Sequence, residues 1–147
     1  MKFFIVFIFS IMLCACVPNP TPGLNRAAKI NSQLVYAYVQ EHQMERAKEK
    51  LLLALNQAPN APDVLAAAGY FYAKSNNISF ANQYYQKAIK LAPTEGRYRN
   101  NYAVFLCKRG RQKEAIKYFK QAAKIPSYLH AKNALDNSNK CANVVKN

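Results

Sequence analysis

Residues of matching type return every 34 positions along this chain, and that period constrains the fold more than any other feature. Ala47, Ala81 and Ala115 are spaced by 34. So are Leu51, Tyr85 and Phe119, then Ala54, Ala88 and Ala122, and then Pro59 and Pro93, with Pro126 one place early. Four columns in register at one period do not arise from composition bias. They mean that one supersecondary unit is stacked on copies of itself. Each unit reads as two helices. Leu65, Ala68, Gly69 and Tyr72 mark an apolar face at helical spacing in the first, and Ala81, Tyr84, Tyr85, Ala88 and Ile89 mark one in the second. Asn76 and Asn77 separate the helices of one unit and Gly110 those of the next, as turn residues do, and the prolines end the second helices.

The columns follow from packing. Small residues at Gly69 and Ala103 let the first helix approach its partner, the alanines of the second helix do the same, and Tyr72, Tyr85 and Phe119 fill the remaining space. This pattern resembles the tetratricopeptide repeat, a helix-turn-helix of the same length. It implies an all-α solenoid of antiparallel helix pairs, with three copies at about residues 28 to 61, 62 to 95 and 96 to 129. Val35 replaces the small residue in the first copy, which predicts wider helix packing there. Residues 130 to 147 can supply only the first helix of a fourth copy and have few apolar side chains to bury. They read either as the polar cap that a solenoid needs or as the remnant of a longer array.

The N-terminus has a different character. Met1 and Lys2 precede an apolar run, Phe3 to Leu13, broken only by Ser10. A membrane-spanning helix needs ~20 apolar residues, so the run reads as the core of an export signal over residues 1–15. Leu13-Cys14-Ala15-Cys16 resembles the bacterial lipobox, in which the cysteine is acylated and becomes the first residue of the mature protein. A thiolate is nucleophilic enough to take a lipid thioether, and small residues before it admit the peptidase. The alternative is an ordinary secretory signal cut after Ala15. Each buried methylene contributes roughly 0.8 kcal/mol and two or more chains anchor stably, so acylated Cys16 predicts a membrane-held protein. Val17 stands where an aspartate would resemble an inner-membrane retention signal, which favours the outer membrane, with the fold facing the periplasm. The three prolines of Val17 to Gly23 predict an extended, lipid-bearing tether over residues 16–24, with folding starting near Asn25.

After cleavage about 130 residues remain, enough for one modest domain. The formal charge of +14 loses only the one carried by Lys2, leaving +13. An exported protein of this charge should not meet nucleic acid, so phospholipid head groups, acidic protein surfaces or peptidoglycan are better partners. With Cys14 removed and Cys16 lipidated, Cys107 and Cys141 form an even pair in an oxidising compartment, which suggests a disulfide. They lie one period apart, on consecutive first helices. Neighbouring helix axes are ~8–10 Å apart, whereas a disulfide needs Cα atoms within roughly 4.4–6.8 Å. Curvature of the stack would close that gap; two free, partly buried thiols are the alternative.

First helices of such arrays line a groove that receives a partner's peptide or helix. By register, Tyr36, Asp63, Tyr70, Arg97, Asn100, Val104 and Lys108 should face it. The plainer alternative is that Tyr36 and Tyr70 are surface residues of amphipathic helices. Residues 97 to 147 hold twelve basic and two acidic side chains. Within them Lys108, Arg109, Arg111 and Lys113 cluster at a turn, and Lys113, Lys117, Lys120 and Lys124 recur on one face of the next helix. This is either a solvated face or a surface for anionic lipid or an acidic partner. His42 and His130 have no carboxylate or cysteine at ligand spacing, so no metal site is expected. No nucleophile-base pair and no glycine-rich phosphate loop occurs. The expectation is a protein that is not an enzyme, takes no small-molecule substrate, and carries no cofactor beyond the lipid on Cys16.

The third unit is more specific. Asn100-Asn101-Tyr102-Ala103-Val104-Phe105-Leu106-Cys107-Lys108-Arg109-Gly110-Arg111, then Glu114-Ala115, Phe119, Ala122 and Pro126-Ser127-Tyr128, resembles the signature of the outer-membrane lipoproteins of type IV pilus biogenesis, the PilF/PilW family of tetratricopeptide pilotins. Asn137 to Cys141 is similar to that family's next element. The resemblance implies a non-enzymatic role in which the outer-membrane secretin is helped to its membrane or into its ring, or pilus fibres are stabilised. Ala103 stands where the family has glycine, and relatives continue with further repeats. An adaptor for another envelope assembly system, or a truncated array without function, are the other readings.

Overall fold

The computed structural model describes residues 25–143. The export signal, Cys16 and the tether expected at residues 1–24 lie outside the described residues, as does the end of the chain from 144. Seven helices fill the described part: α1 (Arg26–Gln40), α2 (Met44–Gln57), α3 (Pro62–Lys74), α4 (Ile78–Leu91), α5 (Gly96–Lys108), α6 (Gln112–Ala123) and α7 (Ala131–Asn143). The starts of α2, α4 and α6 are 34 residues apart, as are the ends of α1, α3 and α5. The chain forms an all-α tetratricopeptide-type solenoid. Odd-numbered helices pack side by side as an inner layer; each even-numbered helix packs on the odd one before it and the odd one after it.

Local chemistry sets the boundaries. Asn25 caps α1, its side-chain oxygen accepting from the Ala28 amide at 2.7 Å. Each turn from an odd to an even helix puts one residue in the left-handed region: His42 (φ 59°), Asn76 (φ 59°) and Gly110 (φ 75°), again 34 apart. The next residue's amide donates back to the carbonyl five positions earlier: Gln43 to Tyr38, Asn77 to Tyr72 and Arg111 to Leu106. This is the Schellman closure, which satisfies carbonyls left over at the helix end. His42 is therefore a turn residue, the counterpart of Asn76 and Gly110. Pro126, one place early, biases its predecessor away from helix, and α6 ends at Ala123, two residues short of its register.

All three alanines of the first column and all three of the third are fully buried, as are Leu51, Tyr85 and Phe119 to within 2%. Opposite the second column stand Val35, Gly69 and Ala103, and their sizes run inversely to their partners. Leu51, the smallest of its column, shares a cluster with Val35. Phe119 shares one with Ala103. Tyr85 faces Gly69, where a Cβ would lie 2.8 Å from the ring carbons. The expected widening at Val35 is thus offset by a smaller side chain across from it.

That complementarity makes a sign-reversing prediction. Alanine in a helix is worth about 1 kcal/mol over glycine, but overpacking costs about 1–3 kcal/mol. Gly69→Ala should destabilise the native chain in urea unfolding yet stabilise a Tyr85→Leu background. Equal effects in both backgrounds would show that the ring does not set the cost.

The last helix is held differently. α7 buries only Ala134, Ser138 and Cys141 and packs on α6 and α5. Cys107 and Cys141 are joined by a disulfide, their Cα atoms 5.8 Å apart, so α7 lies close to α5 here. Tyr128 packs over Gly96, where a Cβ would meet its ring at 2.5 Å, which fixes the turn into α7. With so little apolar surface in α7, reduction should cost about 2–4 kcal/mol and lower the helical circular dichroism signal by roughly α7's share. Unchanged melting in reductant would contradict this account of how α7 is held.

Candidate partner-binding groove

The inner layer carries two adjoining cavities. The larger, about 470 Å³, opens between the C-terminal halves of α1, α3 and α5. Its walls are Tyr36, Tyr70 and Val104, which occupy one 34-residue column, and the two phenol rings lie 4.9 Å apart between centroids. Tyr85 and Phe105 also line it. Tyr85 belongs to the even-numbered helix α4 and reaches this side across Gly69, because glycine leaves the space a side chain would fill.

The rim is cationic and amidic. Lys74 and Lys108 end α3 and α5, Arg109 follows, and Gln40 and Asn101 supply amides. The Lys74 ammonium lies 5.7 Å from the centre of the Tyr70 ring, and Arg109 donates a hydrogen bond to the Asn76 side chain. None of these three cations takes part in a salt bridge among the described residues. Among the described residues no acidic side chain lines the cavity.

The smaller cavity, about 260 Å³, holds a paired carboxylate, with Lys29 also in its lining. Arg97 meets Asp63 at 3.2 Å and Glu95 at 3.4 Å, and the Tyr98 hydroxyl donates to Asp63 at 2.9 Å. Burial first, and then the Asp63 carboxylate, push the Tyr36 and Tyr98 phenols well above the ordinary value. Burial does the same to Tyr85. All three stay neutral hydroxyls at any physiological pH.

Of the residues expected to face the groove, Tyr36, Tyr70, Val104 and Lys108 gather around the larger cavity. Asp63 and Arg97 line the smaller one and spend their charge on each other. Asn100 lines neither; its side-chain oxygen accepts from the side-chain amide of Asn137 in α7 at 3.3 Å, and its neighbour Asn101 lines both. Gln40 and Lys74 were legible in principle, since with Lys108 they form another 34-residue column. Tyr85 was not, because its role depends on the glycine beneath it.

The expected basic face divides into three settings. Arg109 belongs to the groove rim. Arg111 holds Glu114 with two nitrogens, at 2.8 and 2.7 Å, and donates to Asn82 at 3.1 Å, so its charge is locally met. Lys113, Lys117, Lys120 and Lys124 share a shallow depression on α6 and form no salt bridge among the described residues. The His130 ring lies 5.9 Å from that of Tyr128. Among the described residues no group of three or more His, Cys, Asp or Glu is placed to hold a metal ion, and no helix is long and apolar enough to cross a membrane.

Comparison with known proteins agrees with this geometry. Tetratricopeptide repeat models match residues 62–95 and 84–117. The structure of Pseudomonas aeruginosa pilF is 27% identical, with a TM-score of 0.73 over 82% of this chain and 54% of that one. PilW, described as a widely conserved type IV pilus biogenesis factor, is 24% identical, with a TM-score of 0.73 over 83% of this chain and 56% of that one. The chain thus spans about half the length of these two structures. A protein of Haemophilus influenzae (strain ATCC 51907 / DSM 11121 / KW20 / Rd), described as uncharacterized, is 31% identical over 137 residues, 92% of this chain and 76% of that protein. At that identity and coverage the chain belongs to the family of the Haemophilus influenzae protein, as a tetratricopeptide-repeat solenoid.

Proposed function

We propose that this chain is a non-enzymatic protein-binding scaffold of type IV pilus biogenesis, anchored in the outer membrane by lipid on Cys16. Its partner in this reading is the outer-membrane secretin, whose localisation or assembly it assists, or another component through which it supports pilus stability. The observation that carries the proposal is the aromatic-walled cavity on the inner layer of the stack. Concave sites with apolar walls and a few convergent polar groups are where partners and ligands bind, and a groove of this kind suits an extended or helical segment of another protein. The fold shared with pilF and PilW supports assigning that segment to the pilus machinery. The resemblance of Leu13 to Cys16 to a lipobox supports a membrane anchor.

Solubilised outer membranes test this. The tagged chain should recover the secretin, and Tyr70→Ala, which removes one wall, should lower recovery at least tenfold, since central aromatic anchors dominate interface energies at ~2 kcal/mol or more. Cys16→Ser should move the protein from the membrane to the soluble fraction. Absence of secretin from wild-type pull-downs would overturn the partner, and a soluble wild-type protein would overturn the anchor.

A further inference from the structure

We infer that the larger groove cavity takes an aromatic side chain from a partner segment whose neighbouring residues are acidic, their carboxylates being held by Lys74, Lys108 and Arg109. The inference rests on the groove being a partner site and deepens that reading by naming the chemistry of what enters it.

Three independent features of the cavity converge on such a segment. Its walls are the adjacent rings of Tyr36 and Tyr70, continued by Val104 and Phe105, a surface that favours an inserted aromatic ring in offset or edge contact. One lining group is a hydroxyl without a protein partner. Tyr85 is 2% exposed, and none of the hydrogen bonds among the described residues engages its phenol. Among the described residues no fully enclosed side-chain polar atom lacks a partner, so this hydroxyl opens onto the cavity. A neutral phenol there can donate to a carbonyl or carboxylate oxygen of the occupant.

The third feature is charge. Three cations stand at the mouth, and among the described residues none is in a salt bridge and no acid lines the cavity with them. The inner-face carboxylate of the neighbouring cavity, Asp63, is already satisfied by Arg97 and Tyr98. Lysines in a last helical turn also complement the helix dipole, which accounts for Lys74 and Lys108 singly. It does not account for Arg109, which lies beyond the end of α5 and is tethered by Asn76 at the cavity rim, nor for a lining free of acids. The Lys74 ammonium over the Tyr70 ring joins the cationic rim to the aromatic wall, so one segment can engage both.

The test uses the mature chain and an array of end-capped peptides in four sets: one phenylalanine among glutamates, glutamates alone, phenylalanine among glutamines, and phenylalanine among lysines. The first set should bind at least tenfold more tightly than any other, and its advantage over the glutamine set should shrink with added salt. Lys74→Gln with Lys108→Gln and Arg109→Gln should abolish the preference for glutamate while leaving that for phenylalanine. Tyr85→Phe, which keeps the ring, should weaken binding several-fold. Circular dichroism melting confirms that each variant is folded. Equal binding of the glutamate and glutamine sets overturns the inference, as does a glutamate preference that disappears with Lys117→Gln and Lys120→Gln instead. Secretin capture without any acidic preference would remove this inference alone. An acidic-aromatic preference without secretin capture would remove the proposed partner and leave the inference standing.

Discussion

The contact on which most of this structure depends is the ring of Tyr85 lying against the backbone of Gly69. It sets how closely α3 and α4 approach, and it carries an outer-layer side chain through to the inner face. In the first and third units the same places hold Val35 with Leu51 and Ala103 with Phe119. There the inner helix keeps its side chain, and neither Leu51 nor Phe119 lines the groove cavity. The middle unit alone opens the groove from behind. Packing and site are therefore one arrangement.

Around that contact the stack is regular because each unit closes in the same way. The left-handed residue at 42, 76 or 110 and the amide that follows it end the inner helix, and the buried alanine columns keep the next helix close. The far end lacks the apolar surface to continue by packing alone, and there the Cys107–Cys141 bridge and the Tyr128 ring over Gly96 take over. Positive charge is dense throughout this half, yet its settings differ. Arg111 is neutralised by Glu114, the lysines of α6 face outward, and Lys108 and Arg109 join Lys74 of α3 around a cavity that no acid lines among the described residues.

Much of this was legible in the sequence because the period is a physical quantity. Columns 34 residues apart locate equivalent places on successive helices, so the helix pairs, the buried alanines, the turn at Gly110 and the equivalent positions of Cys107 and Cys141 all follow from spacing. Less visible were features that depend on what stands opposite a residue. Val35 read as a cause of looser packing until Leu51 was seen across from it. Asn100 and Asn101 are adjacent, and register alone chose the one that meets α7 over the one that lines the groove. Arg111 was grouped with the basic face although Glu114, three residues on, meets its charge, and only its further hydrogen bond to Asn82 needs two helices brought together. His42 gave no turn signal of its own, since histidine in a left-handed position is recognised only by its alignment with Asn76 and Gly110.

The central claim is that binding happens on the inner face and involves a ring anchored in the outer layer. Aromatic NMR spectra of the chain labelled at tyrosine, recorded while the tightest-binding array peptide is added, test it most directly. The account predicts that the resonances of Tyr36, Tyr70 and Tyr85 move together at the same peptide concentrations while Tyr84 and Tyr118 stay in place. Shifts confined to Tyr84 and Tyr118, with Tyr36, Tyr70 and Tyr85 unmoved, would contradict it.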